Sequence, residues 1–205
     1  MISKDNAILI PFTECPIKNR TNLTLIADVL LSPTAPDNLH LLQPVYHISN
    51  QDLRAHKSIV YQLWVDNSYI LKIGGSCAES IKSCIQFYLQ MTKSMNRGRY
   101  MPYYAMATLL TAGHTIQIQA EILEDSFRKV IDLESPSNTV LQLVSGYKNR
   151  EADWISVYKD NLPYLNRQES GAGDDTRKKS SKVKTEDLFT KYCKEQYVQD
   201  GCKIR

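Results

Sequence analysis

The sequence predicts an α+β fold in which a small three-stranded antiparallel sheet is flanked by helices, with an extension at each end. The first observation is a run rich in β-branched and aromatic residues, 59–65, which ends at the turn-forming sequence Asp66-Asn67-Ser68. A second run of the same kind, 69–73, follows directly. Two such runs with a three-residue connection predict a β-hairpin.

Periodicity predicts the third strand and the helices. Apolar and polar residues alternate over 114–122, as on a strand with one buried face, so this segment should complete the sheet. Ser76 or Ser80 would cap the first helix, and Gly113 would close the second. Helical spacing predicts four helices, over residues 76–92, 102–112, 148–159 and 186–198.

We divide the chain into one main domain and two extensions, because 205 residues suffice for a single core with appendages. Residues 1–55 form an irregular N-terminal extension, in which 22–31 is either a short helix or a strand. The main domain spans 56–167, and the secondary structure of 123–144 is left open. Residues 168–205 form a basic linker, rich in Gly and Ser, and the last helix.

Composition excludes several classes of protein. With 42% hydrophobic and 23% charged residues, and no apolar run near the ~20 residues that span a membrane, the chain reads as a globular cytoplasmic protein without a secretory signal. Its five cysteines are scattered, with no C-x-x-C pair and no histidine at metal-ligand spacing. We therefore expect reduced thiols and no zinc site.

Charge is distributed unevenly, although the net charge is only +3. The segment 80–120 contains no Asp or Glu, while its cations fall among tyrosines. A surface built from it would face a polyanion without like-charge repulsion, so a DNA interface is one interpretation and a helical hairpin with few acids is the other. The cations expected to contact DNA are Lys82, Lys93, Arg97 and Arg99.

Four short signals occur in a characteristic order. Ile59-Val60-Tyr61 lies on the first strand and Lys72-Ile73-Gly74 on the second, with Tyr61 and Lys72 separated by 11 positions. Glu151 then lies near the start of a helix, and Pro163-Tyr-Leu-Asn166 follows it. This order resembles the motifs of the GIY-YIG nucleases over about residues 56–167. The resemblance implies that fold and a DNA-cleaving activity.

The chain departs from that family pattern at three points. The first triplet lacks its glycine, which has no chemical role, and the second carries Lys72 where tyrosine is usual, as in a branch of the family's restriction enzymes. The arginine expected on the next helix is missing at the usual spacing. Lys82, Arg97 and Arg99 are the candidates for its role, and Arg99 ranks above Lys82 because a guanidinium can bind phosphate through two parallel hydrogen bonds.

The resemblance also implies a role for each residue. Tyr61 would act as general base on the attacking water, which requires a cationic neighbour such as Lys72 to lower its pKa. Glu151 would bind a single Mg²⁺ per active site. Asn166 would lie near the metal and the DNA, or pack the end of the helix. Tyr88 would lie near the phosphate, or in the core.

Ordinary structural roles remain open for the same residues. Tyr61 could be a half-buried strand tyrosine and Lys72 a solvated strand lysine, and the helix dipole alone favours Glu151 in a first turn. Because the turn offset decides which face Lys72 occupies, the sequence does not place it beside Tyr61.

The functional hypothesis is a Mg²⁺-dependent type II restriction endonuclease that cuts double-stranded DNA. We expect a homodimer, because two-fold symmetry suits a palindromic site, with the two extensions supplying dimer contacts and base readout. The alternatives are a homing or repair nuclease of the same fold, and a non-catalytic DNA- or protein-binding module. A separate DNA-binding domain, usual in homing and repair nucleases, does not fit in this chain.

Overall fold

The computed structural model confirms an α+β fold. It describes residues 2–10, 13–14, 22–33, 41–55, 57–76, 80–92, 97–123, 126–131, 139–144, 146–158, 161–169 and 187–202. The strands are β1 (Thr13–Glu14), β2 (Thr24–Leu31), β3 (Leu42–Tyr46), β4 (Ser58–Val65), β5 (Tyr69–Ser76), β6 (Ile116–Leu123), β7 (Ser126–Ile131) and β8 (Thr139–Val144). The helices are a 3-10 helix (Lys4–Leu9), α1 (Asn50–Arg54), α2 (Ile81–Leu89), α3 (Arg97–Thr111), α4 (Tyr147–Val157), α5 (Tyr164–Glu169) and α6 (Leu188–Gln199).

The main sheet has six strands, so the prediction of three was too small. Its order is β1-β5-β4-β6-β2-β3, and every neighbouring pair is antiparallel. The predicted strands β4, β5 and β6 form its centre. The sheet widens because β2, which the sequence left open between helix and strand, pairs with the far edge of β6. The segment that the sequence left ambiguous forms a separate two-stranded sheet of β7 and β8.

The predicted hairpin of β4 and β5 contains a bulge. Asp66 and Asn67 adopt positive φ angles of 50° and 52° in the connection, a conformation that Asp and Asn tolerate better than most residues. The register then shifts, because Trp64 pairs with Ile70 but Leu63 pairs with Lys72. Leu71 is thus the extra residue of a β-bulge, which reverses the face on which every later residue of β5 lies.

The two faces of the sheet pack against different helices. Tyr61 and Leu63 of β4 belong to the larger core, shared with α2, α3, α6 and the 3-10 helix. Val60 and Trp64, which alternate with them, pack on the other side against Trp154 of α4. We call these two sides the Tyr61 face and the Val60 face.

The four predicted helices are present as α2, α3, α4 and α6, with two main differences at their boundaries, whereas the 3-10 helix and α1 were not predicted. Ser80 caps α2, since its hydroxyl accepts a hydrogen bond from the Ser83 amide. Helix α3 begins at Arg97 rather than at Pro102, so the arginines predicted in a loop belong to the helix. Burial of Tyr100 and Met101 favours this longer helix in spite of the N–H that Pro102 lacks. In the described segments, no helix is long and apolar enough to cross a membrane.

The second boundary lies after α4. The sequence predicted that residues 161–166 only end this helix, but Pro163 is followed at once by a new helix, α5. Proline is compatible with the start of a helix, where the amide that it lacks would have no intrahelical partner. Asn166 is therefore placed on a short helix that packs against β5.

Candidate active site

Tyr61 and Lys72 share one face of the sheet. Tyr61 lies directly opposite Gly74 in the register, and Leu63 lies opposite Lys72. Directly opposite residues project to the same side, as do residues two apart on one strand, so Lys72 belongs to the Tyr61 face. The bulge thus answers the question that the turn sequence left open.

Tyr88 completes a compact cluster with these two residues. The Tyr61 hydroxyl donates a hydrogen bond of 2.5 Å to the Tyr88 hydroxyl, and the ring centroids are 5.4 Å apart. The Lys72 Nζ lies 5.8 Å from the centroid of the Tyr88 ring. Lys72 is only 2% exposed, so it is a buried lysine and not a solvated strand lysine. The half-buried Tyr88 reaches the cluster from α2.

Glu151 lies beside the next residue of β5. A Cβ atom at Gly75 would be 2.8 Å from the Glu151 Oε2 and 2.5 Å from the Tyr147 Cδ2, so α4 approaches the backbone where no side chain intervenes. Adjacent strand residues point to opposite faces. Gly74 therefore faces Tyr61 while Gly75 faces Glu151, and the two side chains approach the strand at neighbouring points from opposite sides.

Few protein ligands are available here for a hard divalent cation. Among the described residues, no group of three or more His, Cys, Asp or Glu side chains could hold a metal ion. Mg²⁺ is often bound through one or two carboxylates together with water and phosphate oxygens. The half-buried Glu151 carboxylate above a glycine fits that type of site, in which the substrate supplies part of the coordination.

Glu121 on β6 holds α4 from the same face of the sheet. Its Oε2 accepts hydrogen bonds of 2.8 Å from both the Arg150 Nε and the Trp154 Nε1. Burial alone would raise the pKa of Glu121, but these two hydrogen bonds and the Arg150 charge outweigh burial and lower it. The sequence placed Glu121 on a polar strand face, and the acid-to-arginine contact across β6 and α4 was missed.

Asn166 binds the main chain of β5. Its side-chain oxygen accepts a hydrogen bond of 2.7 Å from the Ile73 N–H, and its amide nitrogen donates one of 2.7 Å to the Ile73 carbonyl. The carboxamide thus pairs with the edge of β5 as a neighbouring strand would. Asn166 is only 8% exposed, and both polar atoms of its side chain are engaged by the main chain of Ile73.

Arg99 on α3 is a second cation near Tyr88, in addition to Lys72. Its Nε donates a hydrogen bond of 2.9 Å to the Phe87 carbonyl, and its guanidinium lies 4.0 Å from the centroid of the Phe87 ring. Burial lowers the pKa of Arg99, while the neighbouring Tyr88 and Tyr197 oppose that shift. Arg99 therefore approaches the end of α2 from α3. Phe87, 43% exposed, was missed because an isolated aromatic on a helix usually indicates packing.

The other predicted cations are placed less closely. Lys82 is half-buried in the first turn of α2. Lys93 lies outside the described residues, and of Arg97 only the backbone, in α3, is described. On α2, Cys84 lies one turn before Tyr88, buried, and burial raises its pKa to about 11 in spite of a hydrogen bond with Ser76. Position 84 of α2 is therefore occupied by a neutral thiol and not by a cation.

Comparisons with known proteins assign the chain to no family. No protein-family model and no curated protein matches the chain. Among solved structures, the restriction endonuclease HPY188I in complex with product DNA superposes with a TM-score of 0.44 and 18% identity, covering 78% of this chain and 87% of that one. A mutant of bacteriophage T4 EndoII gives a TM-score of 0.37 and 9% identity, covering 78% of this chain and 95% of that one.

Proposed function

We propose that this protein is a Mg²⁺-dependent endonuclease that hydrolyses double-stranded DNA, with an active site of the GIY-YIG type. The observation that supports the proposal is the meeting of Tyr61, Lys72 and Tyr88 on one side of the Gly74–Gly75 segment, with Glu151 on its other side. A buried lysine beside paired tyrosines has no obvious packing purpose, because burying an ammonium group is costly. Such clusters are typical of sites that stabilise developing negative charge.

Each side chain has a role in phosphodiester hydrolysis. The Tyr61 phenol, once it has lost its proton to solvent, can accept a proton from the attacking water, and the Tyr88 hydroxyl that lies against it can then donate a hydrogen bond to the phenolate oxygen. Lys72 favours the anionic form of the two tyrosines through its charge. Arg99, oriented by Phe87, can bind a phosphate of the DNA strand through its terminal amino groups.

Glu151 would hold the Mg²⁺ ion, with water and phosphate oxygens as the remaining ligands. When bound, the ion would polarise the scissile phosphate and stabilise the leaving 3′ oxygen. Tyr147, whose ring also lies against Gly75, packs on the same side of the strand.

We further propose a type II restriction enzyme that acts as a homodimer on a short, specific, palindromic sequence. One active site per chain cuts one strand, so two-fold symmetry gives the simplest way of cutting both. A homing or repair nuclease is the alternative within this chemistry, and a non-catalytic DNA-binding module is the alternative outside it. Metal-dependent nicking of a supercoiled plasmid separates the enzymes from the binding module.

The decisive experiment compares Glu151→Gln with the wild-type protein. This change is nearly isosteric and removes the charge that a hard cation needs, so DNA binding measured in Ca²⁺ should persist while cleavage in Mg²⁺ falls by several orders of magnitude. Glu195→Gln on α6 is the matched control, because the Glu195 side chain is 58% exposed and lies on a different helix, so it should not affect the rate. Cleavage by Glu151→Gln at the wild-type rate would show that Glu151 does not bind the metal.

A further inference from the structure

Helix α4 is attached to the sheet at both ends of one row of residues. Glu121 on β6 and Gly75 on β5 both lie directly opposite Val60 on β4. Neighbouring strands are about 4.8 Å apart, so the two ends of this row, which both contact α4, are about 10 Å apart. Arg150 and Trp154 contact the Glu121 end, and Glu151 contacts the Gly75 end.

The contacts at Glu121 fix the rotation of α4 about its own axis. A single carboxylate oxygen accepts both hydrogen bonds, and the two donors, Arg150 and Trp154, lie one helical turn apart on one side of the helix. The Glu121 side chain is 15% exposed, so these charge-assisted hydrogen bonds are only partly screened by water. A packed helix without such contacts is held mainly by apolar surface, which tolerates small rotations.

The direction of Glu151 depends on that rotation. Glu151 follows Arg150 directly in the chain, and a helix with its side chains is about 5–6 Å in radius. A rotation of about 20° would therefore move the carboxylate by about 2 Å, which is the length of a whole Mg²⁺–oxygen bond. Gly75 carries no side chain that would stop such a movement, whereas the two hydrogen bonds of Glu121 oppose it from the opposite end of the row.

We propose that Glu121 is a positioning residue for the metal site, holding α4 in the rotation that directs Glu151 at the bound cation. The inference rests on the proposed function, because it assigns Glu151 the cation. It adds that the metal affinity is determined in part by an ion pair at the β6 end of the row, away from Gly75. Residues that orient metal ligands commonly change metal affinity by about 10-fold to 100-fold when they are replaced.

Charge alone gives a different expectation, and this makes the inference testable. Glu121→Gln removes a negative charge near the cation, whereas Arg150→Gln removes a positive one. A purely electrostatic effect would weaken metal binding in the first variant and strengthen it in the second. Loss of positioning weakens binding in both, and the double variant should then be no worse than either single variant.

The two tryptophans of the chain allow metal binding to be followed without any cleavage assay. Protein labelled with 5-fluorotryptophan gives one ¹⁹F resonance for Trp154 and one for Trp64, assigned with Trp154→Phe. Titration with Mn²⁺ alone, an oxygen-preferring paramagnetic ion, should broaden the Trp154 resonance in the wild type but not in Glu151→Gln. The Mn²⁺ concentration at half-broadening then reports the affinity of each variant.

We expect about a tenfold higher half-broadening concentration for both Glu121→Gln and Arg150→Gln, and less than a twofold change for the control Glu195→Gln on α6. Glu121→Asp keeps the charge but shortens the side chain, so it should also weaken Mn²⁺ binding, and it serves if Glu121→Gln does not fold. Opposite shifts in the Gln variants, or wild-type affinity in the Glu121 variants, would overturn the inference alone. Broadening that is absent in the wild type, or unaffected in Glu151→Gln, would overturn the proposed metal site and this inference with it.

Discussion

The ring of Tyr61 lies so close to Gly74 on the adjacent strand that no side chain fits between them. A Cβ at Gly74 would overlap the Tyr61 hydroxyl and the ring carbon that bears it. The absence of that atom lets the phenol extend across β5 to the Tyr88 hydroxyl. The glycine of the Lys72-Ile73-Gly74 triplet is thus explained by close approach, since neither Gly74 nor Gly75 has a positive φ among the described residues.

Gly74→Ala should therefore misplace Tyr61. The added methyl must push the ring away and break the hydrogen bond with Tyr88, at a stability cost of about 1–3 kcal/mol. A displacement of this size should reduce single-turnover cleavage by about 100-fold, with DNA binding in Ca²⁺ retained. Gly146→Ala is the matched control, because a Cβ there has nothing within 4 Å, and it should be active and stable. Wild-type cleavage by folded Gly74→Ala would show that the placement of Tyr61 is not critical.

The bulge at Leu71 shows why the sequence predicted the participants but not their arrangement. Without the extra residue, Lys72 would lie opposite Gln62 and project to the Val60 face, away from Tyr61. Bulges depend on packing of both strands and leave no reliable signal in a run such as Tyr69-Ile-Leu-Lys-Ile73. The spacing of the motifs therefore identified Tyr61 and Lys72 as candidate site residues. Only the register of the hairpin shows that they lie on the same face of the sheet.

Long-range pairing limited the prediction of the fold in the same way. The hairpin of β4 and β5 and the helices α2 and α4 depend on local periodicity, which is visible in the chain. The pairing of β2 with β6 joins segments about 90 positions apart, such as Asp28 and Gln117, and periodicity within either segment does not identify its partner. The attachment of Asn166 to Ile73 is equally distant in sequence, at 93 positions.

Lys72→Met should separate charge from packing. The methionine retains much of the length of the buried side chain and removes its ammonium group, so stability should be kept or slightly increased. If the cation favours anionic tyrosine or stabilises the phosphate, cleavage should fall by about 100-fold to 1000-fold. Thermal unfolding and single-turnover cleavage measure the two effects. Lys191→Met, on the exposed and loosely paired lysine of α6, controls for the loss of a charge. Full activity in folded Lys72→Met would show that the resemblance of Lys72-Ile73-Gly74 to the second motif of the family is accidental.

Asp66→Asn should alter the pH dependence of stability. Asp66 accepts hydrogen bonds from the Thr115 N–H at 2.9 Å and from the His114 Nδ1 at 2.7 Å. Burial alone would raise the pKa of Asp66, but these interactions outweigh it and lower the pKa. A lowered folded-state pKa stabilises the protein above the unfolded-state pKa, and this contribution is lost as the pH falls through the folded value.

The measurement is the urea midpoint of Asp66→Asn and the wild type between about pH 6 and pH 3. The variant should be less stable at pH 6, and the difference should shrink toward acid pH as the wild-type carboxyl is protonated. Asn tolerates the positive φ of position 66, so the turn itself should be unchanged. A difference that is constant across this range would show that the charge of Asp66 does not contribute.

Arg99→Ala should weaken DNA binding by removing a phosphate contact. The arginine lies within the acid-free segment, its Nε is engaged by the Phe87 carbonyl, and its terminal amino groups have no hydrogen-bond partner in the described part of the chain. Each phosphate contact adds about 0.9 to the slope of log affinity against log salt concentration. Arg99→Ala should therefore lower the slope by about one unit. Arg99→Lys should restore the slope but not the full affinity, because lysine cannot bind phosphate through two parallel hydrogen bonds.

Arg97→Ala, from the same segment, should lower the slope by a similar amount, and Lys191→Ala should leave it unchanged. The affinities would be measured in Ca²⁺ from 50 to about 200 mM salt, a range over which several such contacts change binding by orders of magnitude. An unchanged slope in both arginine variants would show that this segment does not contact DNA.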